Sequence, residues 1–516
     1  MDIFIFTVYF VFLAVWVVYT ISLVHLIIHV EIEKRRKKKN KGRELRYPPL
    51  DTNGPNVPIV TVQVPLYNEL YVAERVIDCV CTFNYPASKL EIQILDDSTD
   101  ETKDVVANRV KHWQQQGIDI KHIHRTNRSG YKAGALAEAT PKARGEFIAM
   151  FDADFLPDKD FLIKVLPHFD NDNVGLVQAR WAHLNGDYSL LTKLQTLSID
   201  AFFLLEQFGR SLAGYYIRFN GSGGIWRKTC VEDAGGWTGD TLSEDLDLAF
   251  RAQMKGWKFN YTNHIECAGE VPVTINGVKN QYYRWAKGKT EVVKKLTKPM
   301  LKLKMPFVDK FHLFADLWNI WANIAILIIA VFSVPFVHVA ATSERFADVW
   351  QWSSIGLIYT VTLIYMMSYV YYFRYNSVRR SIIDIIRDFP SFAFLFTGLT
   401  LHQNIAIFDG YRGKKTEFVR TPKYDINAQS DAWTGKKYLP TRLPFTTYLE
   451  GLLSLFFTYG VYLDFSYGMY GFVPWHLFLA IGAAYTFWLT VTQDNIKTNK
   501  TSKKVKVAVQ PELVKA

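Results

Sequence analysis

The amino-acid sequence predicts an α/β domain with a mostly parallel sheet, inserted between membrane-spanning helices. Between about residues 50 and 300, short apolar runs alternate with amphipathic segments, a pattern typical of consecutive βαβ units. Long, nearly uncharged apolar runs lie on both sides of this region. Several of the short runs end in acidic or polar residues, and parallel strands place such ends at one edge of the sheet. The sequence therefore predicts a ligand site at that edge.

The first apolar run, at 3–30, is long enough to cross a bilayer. A cleaved signal peptide has a shorter apolar core with a basic segment in front of it. Here the basic segment, from Lys34 to Lys39, follows the run. Because basic residues mark the cytosolic side of a span, we expect a retained anchor over 1–31 and a cytosolic basic linker over 32–55.

Composition and charge favour a membrane protein. The chain has 516 residues, of which 49% are hydrophobic, and a net charge of +11. Nucleic-acid binding is the alternative for a basic chain, but much of the excess positive charge lies beside the apolar runs. We therefore expect a lipid bilayer, and no nucleic acid, among the partners. The four cysteines lack zinc-type spacing and are expected to be reduced thiols in a cytosolic domain.

Strands and helices alternate through the first half of the α/β domain. The strands are β-branched or continuously apolar, as expected of strands covered on both faces. Strands are predicted at 60–65, 90–95, 120–124 and 147–151, with helices at 72–82, 104–116 and 133–139 between them. Farther along, the predicted elements are a strand at 174–179, helices at 195–207 and 246–254, a glycine-rich turn at 219–226 and a helix that opens at Gln281.

The strand predicted at 147–151 runs directly into Asp152 and Asp154, which are separated by one small residue. Two neighbouring carboxylates repel each other unless a cation joins them, and oxygen ligands suit Mg²⁺ or Mn²⁺. A surface turn is the alternative for so short a motif. The polar ends of the other strands favour the metal site.

Four further apolar runs are each long enough to cross a bilayer. They lie at 313–340, 354–373, 445–466 and 472–491. Together with the N-terminal run they predict five spans and an N-terminus outside the cytosol. The apolar run at 392–408 lies between two basic loops that look cytosolic, so we expect it to lie in the membrane interface or to re-enter. Another interface helix is predicted at 302–312.

Eight motifs in one order carry a resemblance to a known family. They are QVPLYNE at 63–69, LDDSTDET at 95–102, NRSGYKAGAL at 127–136, FDADF at 151–155, VQARW at 177–181, FNGSGGIWR at 219–227, SEDLDLAFR at 243–251 and QYYRW at 281–285. By these motifs the chain resembles the processive family-two glycosyltransferases of the cellulose synthase superfamily. The match is closest to the cellulose-synthase-like A and C groups, the mannan, glucomannan and glucan synthases. The resemblance implies a Rossmann-like GT-A domain.

The resemblance also implies roles for the matched residues. The residues that bind the nucleotide sugar are Tyr67, Glu69, Asp96, Asp97, Lys132, Asp152, Gln281 and Arg284, the last two at the diphosphate. Asp154, with Asp152, binds Mg²⁺ or Mn²⁺, and Asp245 is the general base. Trp285 stacks on the acceptor end of the polymer, beside Phe219, Asn220, Gly221 and Ser222. The stretch at 413–424 resembles a gating loop, in which the matched residues are Phe418, Thr421 and Lys423.

The resemblance implies an inverting synthase that extends a β-linked, β-1,4-type glucan or (gluco)mannan and moves it across the membrane. The donor is UDP-glucose or GDP-mannose, and accessory membrane or cell-wall subunits are further partners of such enzymes. One alternative is a single-transfer enzyme that glycosylates a lipid of the ceramide or dolichol type. Another is a transporter or scaffold with a degenerate domain, which the intact carboxylates disfavour.

The expected domains follow from the same motifs and apolar runs. They are the anchor, the linker, a cytosolic catalytic domain at 56–300, a membrane channel region at 301–495 and a basic cytosolic tail at 496–516. A bacterial inner membrane and a Golgi or plasma membrane would both suit this layout.

Overall fold

The structure is a computed structural model of the chain. It describes residues 1–39, 47–346, 350–414, 420–426, 431–433, 436–438 and 445–502. Part of the predicted linker, at 40–46, and most of the predicted tail, at 503–516, lie outside the described residues.

Eight strands form one mixed sheet in the centre of the α/β domain. They are β1 (Val60–Leu66), β2 (Leu90–Asp96), β3 (Ile120–His124), β4 (Phe147–Met150), β5 (Leu156–Pro157), β6 (Val174–His183), β7 (Gly224–Arg227) and β8 (Lys258–Gly269). Their order is β3-β2-β1-β4-β7-β6-β8-β5. The first four strands of this order are mutually parallel, whereas β7 runs antiparallel to both of its neighbours. The predicted mostly parallel sheet is confirmed for β1 to β4.

Strand register brings the polar segments of the chain to one edge. Leu66 pairs with Asp96, and Asp96 pairs with His124, so β1, β2 and β3 end together. Met150, the last residue of β4, pairs with Gly224, the first residue of antiparallel β7. The glycine-rich turn that precedes β7 therefore lies beside the carboxyl end of β4.

Helices cover both faces of the sheet. The helices of the domain are α2 (Ala73–Cys81), α3 (Thr102–Gln115), α4 (Tyr131–Ala139), α5 (Phe161–Val165), α6 (Leu190–Ala201), α7 (Phe208–Ala213), α8 (Lys228–Asp233), α9 (Glu244–Met254) and α10 (Ile275–Leu301). One core packs α2, α3 and α5 against the sheet, and a second core packs α4, α8 and α9 against the other face. A π-helical turn at Phe202–Gln207 joins α6 to α7.

Two sequence predictions in this domain differ from the structure. The helix that carries the QYYRW motif does not open at Gln281 but begins at Ile275, where Thr274 caps it by accepting a hydrogen bond from the Gly277 N–H at 3.1 Å. The long strand β8 has no counterpart among the predicted strands. Its sequence is polar and lacks clean alternation, and its place in the sheet comes from pairing along β6.

The remaining helices form a bundle next to the domain. They are α1 (Asp2–Lys39), α11 (Phe307–Leu317), α12 (Asn319–Thr342), α13 (Leu357–Tyr375), α14 (Val378–Arg412), α15 (Thr446–Ser466) and α16 (Val473–Ser502). Within the described residues, four helical segments are long and apolar enough to cross a membrane. They are Asp2–Lys39, Asn319–Thr342, Gln351–Tyr375 and Tyr470–Gln493. These segments indicate a membrane protein.

Two predictions in the bundle can be compared with these helices. The predicted span at 445–466, the fourth of five in chain order, forms α15, which is not among the four apolar segments. Its crossing of a membrane stays a prediction. The run at 392–408 is not a short separate segment, because it belongs to the continuous 35-residue α14. A continuous helix does not turn back, which disfavours re-entry, and the alternative, a helix in the membrane interface, stays a prediction.

Candidate active site

A cavity of about 940 Å³ opens at the carboxyl edge of the sheet. Its volume suits a nucleotide sugar, because ligand pockets commonly enclose roughly 300–1,000 Å³. The walls come from the ends of β1, β2 and β4, the glycine-rich turn, the start of α9, the middle of α10 and the segment after α14. Of the predicted site residues, those that line it are Tyr67, Glu69, Asp97, Lys132, Asp152, Asp154, Asn220, Gly221, Asp245, Gln281, Arg284, Trp285, Thr421 and Lys423.

Lys132 joins three walls of the cavity. Its Nζ lies 2.5 Å from Asp152 Oδ1 and donates to the Gly221 carbonyl at 2.9 Å. It also lies 3.9 Å from Glu244 at the start of α9. Gly221 has a φ of 82°, which a residue with a side chain rarely adopts. One ammonium group therefore holds the glycine-rich turn and the acidic end of β4 together.

Asp154 is buried, and the ammonium group of Lys423 lies beside its carboxylate. Its Oδ2 lies 2.6 Å from Lys423 Nζ and accepts a hydrogen bond from the Glu270 N–H at 3.1 Å. Lys423 also donates to the Glu270 carbonyl at 2.9 Å. The carboxylates of Asp152 and Asp154 thus each face a lysine ammonium in this structure. Their hard oxygen donors, at the end of one strand, fit a Mg²⁺ or Mn²⁺ ion that takes its other ligands from substrate phosphate.

Asp245 lies in the first turn of α9 and faces the glycine-rich turn. A Cβ atom at Gly221 would lie 2.9 Å from Asp245 Oδ2, so only glycine fits opposite the carboxylate. Burial, reinforced by the neighbouring charge of Glu244, raises the pKa of Asp245 to about 7. A carboxyl group with a pKa near neutrality is suited to accept a proton from a hydroxyl group.

Three residues of α10 face the cavity at the side nearest the helix bundle. Arg284 donates to the Thr421 hydroxyl at 2.7 Å, which ties α10 to the segment after α14. Gln281 lies one helical turn before Arg284 on the same face. Trp285 lines the cavity and is 38% exposed, so part of its apolar surface is accessible. An amide, a guanidinium and an indole therefore share one wall.

The opposite end of the cavity is aromatic and charged. The Arg128 guanidinium stacks on the Tyr67 ring, 3.2 Å from its centroid. Asp97 accepts two hydrogen bonds from Arg125, at 2.8 and 2.7 Å. Tyr67, Asp97 and Arg128 follow β1, β2 and β3 and line this end of the cavity, where a base and a ribose could bind.

Glu69 connects this end of the cavity to the predicted gating loop. Its Oε2 lies 2.9 Å from Arg420, which also donates to the Tyr67 carbonyl at 3.1 Å. Burial raises the pKa of Glu69 to about 7, although Arg420 opposes the shift. The segment that carries Arg420, Thr421 and Lys423 thus closes one side of the cavity.

Three of the predicted residues that the structure describes lie outside the cavity wall, namely Asp96, Phe219 and Ser222. Asp96 is fully buried on the face of β2 away from Leu95, a residue that does line the cavity. Phe219 packs against Trp226 in the core. Ser222 lies behind the wall and accepts a hydrogen bond from the Asp152 N–H at 3.0 Å. Phe418 lies outside the described residues.

The motifs assign no role to many residues that line the wall, among them Arg128, Arg420 and Glu270. Arg128 and Arg420 belong to stretches that had been matched, and their positive charge was the available signal. Glu270 lies at the end of β8, which was not predicted, so no signal pointed to it.

Several known proteins are similar to this chain in sequence. Residues 55–288 match the model of a family described as glycosyltransferase like family 2. A glucomannan 4-β-mannosyltransferase from Cyamopsis tetragonoloba is 40% identical over 262 residues, which are 50% of this chain and 50% of that protein. One from Arabidopsis thaliana is 33% identical over 395 residues, 75% of this chain and 71% of that protein. This chain spans about half the length of the Cyamopsis protein and about half the length of a rice relative.

A solved mannosyltransferase from Pyrobaculum calidifontis, in complex with GDP-mannose and Mn²⁺, has a TM-score of 0.49 and 20% identity. The aligned region includes 78% of this chain and 100% of the Pyrobaculum chain.

The fold and the site define a glycosyltransferase of the GT-A fold, and the chain belongs to glycosyltransferase family 2. Within that family it is similar to the plant glucomannan 4-β-mannosyltransferases, at 40% identity to the Cyamopsis protein and 33% to the Arabidopsis protein. The resemblance stated from the motifs and the GT-A fold it implied are confirmed.

Proposed function

We propose that the protein is a processive, inverting synthase that extends a β-1,4-linked mannan or glucomannan from a nucleotide sugar. The observation that carries this proposal is the position of Asp245 in the same cavity as Lys132, Asp152 and Arg284. A base, a cationic clamp for phosphate and an aromatic surface for an acceptor thus surround one volume. This is the set of groups that sugar transfer from a diphosphate to a hydroxyl group requires.

Asp245 acts as the general base. Its carboxylate takes the proton of the acceptor hydroxyl as the oxygen attacks the anomeric carbon, and the diphosphate leaves from the opposite side. Positioned proton transfer of this kind contributes roughly 10²–10⁴-fold to the rate. The raised pKa of Asp245 supports the role, because the group is a better base than an ordinary carboxylate.

Gln281 and Arg284 hold the leaving diphosphate, and the negative charge that grows on it is stabilised by Arg284. Tyr67, Glu69, Asp97 and Lys132 bind the nucleotide. Trp285 stacks on the terminal sugar of the chain, beside Asn220 and Gly221. The roles first given to Asp96, Phe219 and Ser222 become indirect, since these side chains support the cavity wall from behind.

Asp154, with Asp152, is proposed to hold a divalent ion, Mg²⁺ or Mn²⁺. Such an ion supplies charge neutralisation to the departing diphosphate when bound. Asp154 is oriented for this by the Glu270 N–H, and Lys423 must move away from Asp154 Oδ2 before an ion takes its place.

The membrane arrangement is part of the proposal. The catalytic domain at 56–300 lies in the cytosol, and the helices at 301–495, with a gating loop near 413–424, pass the product across the bilayer. The basic residues at the end of α1 support the cytosolic side for the domain. The names of the relatives favour a mannosyl donor, GDP-mannose, ahead of UDP-glucose. Accessory subunits in the membrane or cell wall would be partners of the full system.

The test is product analysis with the purified full chain in lipid nanodiscs. Labelled GDP-mannose and UDP-glucose are supplied separately and together with Mn²⁺, and the product is sized and digested with β-1,4-specific mannanase or glucanase. A polymer that mannanase degrades is the expected result. A single sugar on a lipid would overturn processive synthesis in favour of the lipid glycosyltransferase, and no transfer from either donor would overturn the enzyme assignment.

A further inference from the structure

The edge of the sheet next to the cavity carries three potential metal ligands that the proposed reaction does not use. Asp96 ends β2, and His122 and His124 lie on the neighbouring strand β3. The parallel register pairs Asp96 with His124 and Ile94 with His122. Because side chains alternate between the faces of a sheet, these three side chains emerge on the same face. That is the face opposite to Leu95, so the three groups lie outside the cavity wall.

The donor atoms converge on one point. His122 Nε2 lies 2.9 Å from Asp96 Oδ2, and His124 Nδ1 lies 3.4 Å from the same oxygen. The three ligand atoms all lie within 4.8 Å of one another. An ion with bonds of about 2.0–2.1 Å in a tetrahedral site separates its ligands by about 3.3 Å. The two measured separations lie on either side of that value.

The surroundings of the three groups suit a bound ion better than an Asp–His hydrogen bond alone. The other oxygen of Asp96 already accepts a hydrogen bond from the Ser98 N–H at 2.8 Å, which fixes the carboxylate. Its Oδ2 faces two imidazole nitrogens, and both rings donate to it only if each carries its proton on the facing nitrogen. A cation at the shared point satisfies all three groups at once.

Two of the three side chains are partly exposed, so a bound ion would be accessible from solvent. The side chain of Asp96 is fully buried, whereas His122 and His124 are 19% and 33% exposed. An ion bound there would have protein on one side and solvent on the other. A water molecule could supply the fourth ligand of a tetrahedral ion.

We propose that Asp96, His122 and His124 form a second metal site, which takes a zinc-type divalent transition-metal ion. Two imidazoles and one carboxylate match the preference of Zn²⁺ and its neighbours, whereas the two carboxylates of Asp152 and Asp154 match Mg²⁺ or Mn²⁺. The two sites therefore differ in ligand chemistry and take different ions. The second site does not depend on the proposed sugar transfer.

An ion at this site would tie the end of β2 to the end of β3. Asp97 and Arg125, which are paired to each other in the cavity region, follow directly after these strand ends. The site is thus placed to stiffen the backbone from which the nucleotide end of the cavity is built.

The test is metal binding by the purified full chain after treatment with a chelator. Co²⁺, a spectroscopic substitute for Zn²⁺, is added in the presence of excess Mg²⁺, and bound Zn²⁺ is counted separately by elemental analysis. We expect one equivalent of Co²⁺ with an absorption spectrum of low coordination number. His122→Gln and His124→Gln should each weaken binding by more than about 10-fold, the lower limit for disturbed metal sites.

Two controls make the result specific. His112→Gln changes an exposed histidine in α3 and should bind Co²⁺ as the unmodified chain does. Asp154→Asn should also retain the Co²⁺ site, because it alters only the carboxylate pair. Zn²⁺ should raise the unfolding temperature of the unmodified chain and of His112→Gln, but not of His124→Gln. Equal Co²⁺ binding by both cluster variants and the unmodified chain, or loss of Co²⁺ binding in Asp154→Asn alone, would overturn the proposal.

Discussion

Asp245 is the residue whose protonation should control the reaction. Burial and the charge of Glu244 raise its pKa to about 7, so at lower pH the carboxyl group holds a proton and cannot accept another. We expect kcat/KM to rise with pH through about 7 and then to level off. The measurement is a profile of kcat/KM between about pH 5 and pH 9, which reports the pKa of an essential base in the free enzyme.

Asp245→Asn is the matching substitution. It keeps the shape of the side chain but removes the base, so transfer should fall by at least about 10²-fold while donor binding is retained.

The same substitution should raise the stability of the fold although it lowers activity. A folded-state pKa above the unfolded value means that ionisation is less favourable in the folded state, so this group's contribution to stability is lost as pH rises from 3.8 to about 7 and is then constant. The gain in unfolding temperature of the variant over the unmodified chain should therefore be larger at pH 8 than at pH 4. Substantial turnover by the variant would refute the assignment.

Lys423 occupies the position beside Asp154 that the proposed metal ion would take. Its ammonium lies 2.6 Å from Asp154 Oδ2, so an ion must displace it or bind against a like charge. We expect Lys423→Met to bind Mn²⁺ about 10-fold more tightly in the absence of donor, since one like charge at a partly solvated site is worth on the order of 1 kcal/mol. The measurement is titration of Mn²⁺ by electron paramagnetic resonance. Lys437→Met, which removes a lysine paired to exposed Glu101, is the control. Weaker Mn²⁺ binding by Lys423→Met would show that Lys423 supports the site.

At the scale of elements, a glycine in another helix packs against the start of α9, the helix that carries the proposed base Asp245. Gly288 lies in α10 two turns after Gln281, and the residues before α9 pack directly against it. A Cβ atom there would lie 3.1 Å from the carbonyl carbon of Leu242 and would overlap the Ser243 hydroxyl. The close contact between α10 and the start of α9 sets the distance between the base and the diphosphate wall.

Gly288→Ala should therefore lower turnover although no substrate contact is removed. A displacement of about 1 Å at a catalytic group can cost on the order of 10²-fold, so we expect a loss of about 10- to 100-fold. The matched control is Gly451→Ala in α15, where the new Cβ would make an ordinary contact with Phe487 at 3.5 Å. Turnover of both variants, compared at equal folded fraction, checks the prediction. Unchanged turnover in Gly288→Ala would show that α9 tolerates the displacement.

The same scale shows how much the sequence could predict. The elements from β1 to β4 lie within a few residues of their predicted positions, because each strand contains apolar residues, several of them β-branched, and is followed by a polar motif. Local sequence patterns could not show that Asp96 and Asp97 have different surroundings. Only the folded strand shows that Asp96 is buried behind the cavity wall, whereas Asp97 lines the cavity. Lys423 and Asp154 lie 269 positions apart, and local patterns carry no information about such a pair.

At the scale of the whole molecule, α10 connects the catalytic domain to the helix bundle. Its first turns contact α16, where the Ile275 N–H donates to Gln493 at 2.9 Å. Its middle lines the cavity, and its later turns pack with α9 and α11. Gln281, Arg284 and Trp285 thus lie on the same continuous helix that contacts the bundle.

The strongest polar link in this connection is a buried ion pair. Lys279 Nζ in α10 lies 2.7 Å from Glu450 in α15 and donates to the Thr490 hydroxyl in α16 at 2.8 Å. Both charged side chains are almost completely buried. Removal of one partner from such a pair leaves an uncompensated charge and costs about 3–5 kcal/mol, whereas replacement of both partners by apolar residues is often neutral.

Lys279→Met should therefore lower the unfolding temperature strongly, and the double variant Lys279→Met/Glu450→Leu should recover most of the loss. Unfolding of both variants in the same detergent, followed by tryptophan fluorescence, gives the comparison. Lys34→Met, which removes a lysine whose pair with Glu31 is exposed, is the control and should change little. If the double variant stays as unstable as Lys279→Met, the pair itself, rather than relief of one buried charge, holds α10 to the bundle. If the double variant instead recovers its stability, its turnover is the second measurement. Full turnover would show that packing, and not this charge pair, keeps Gln281 and Arg284 in the cavity.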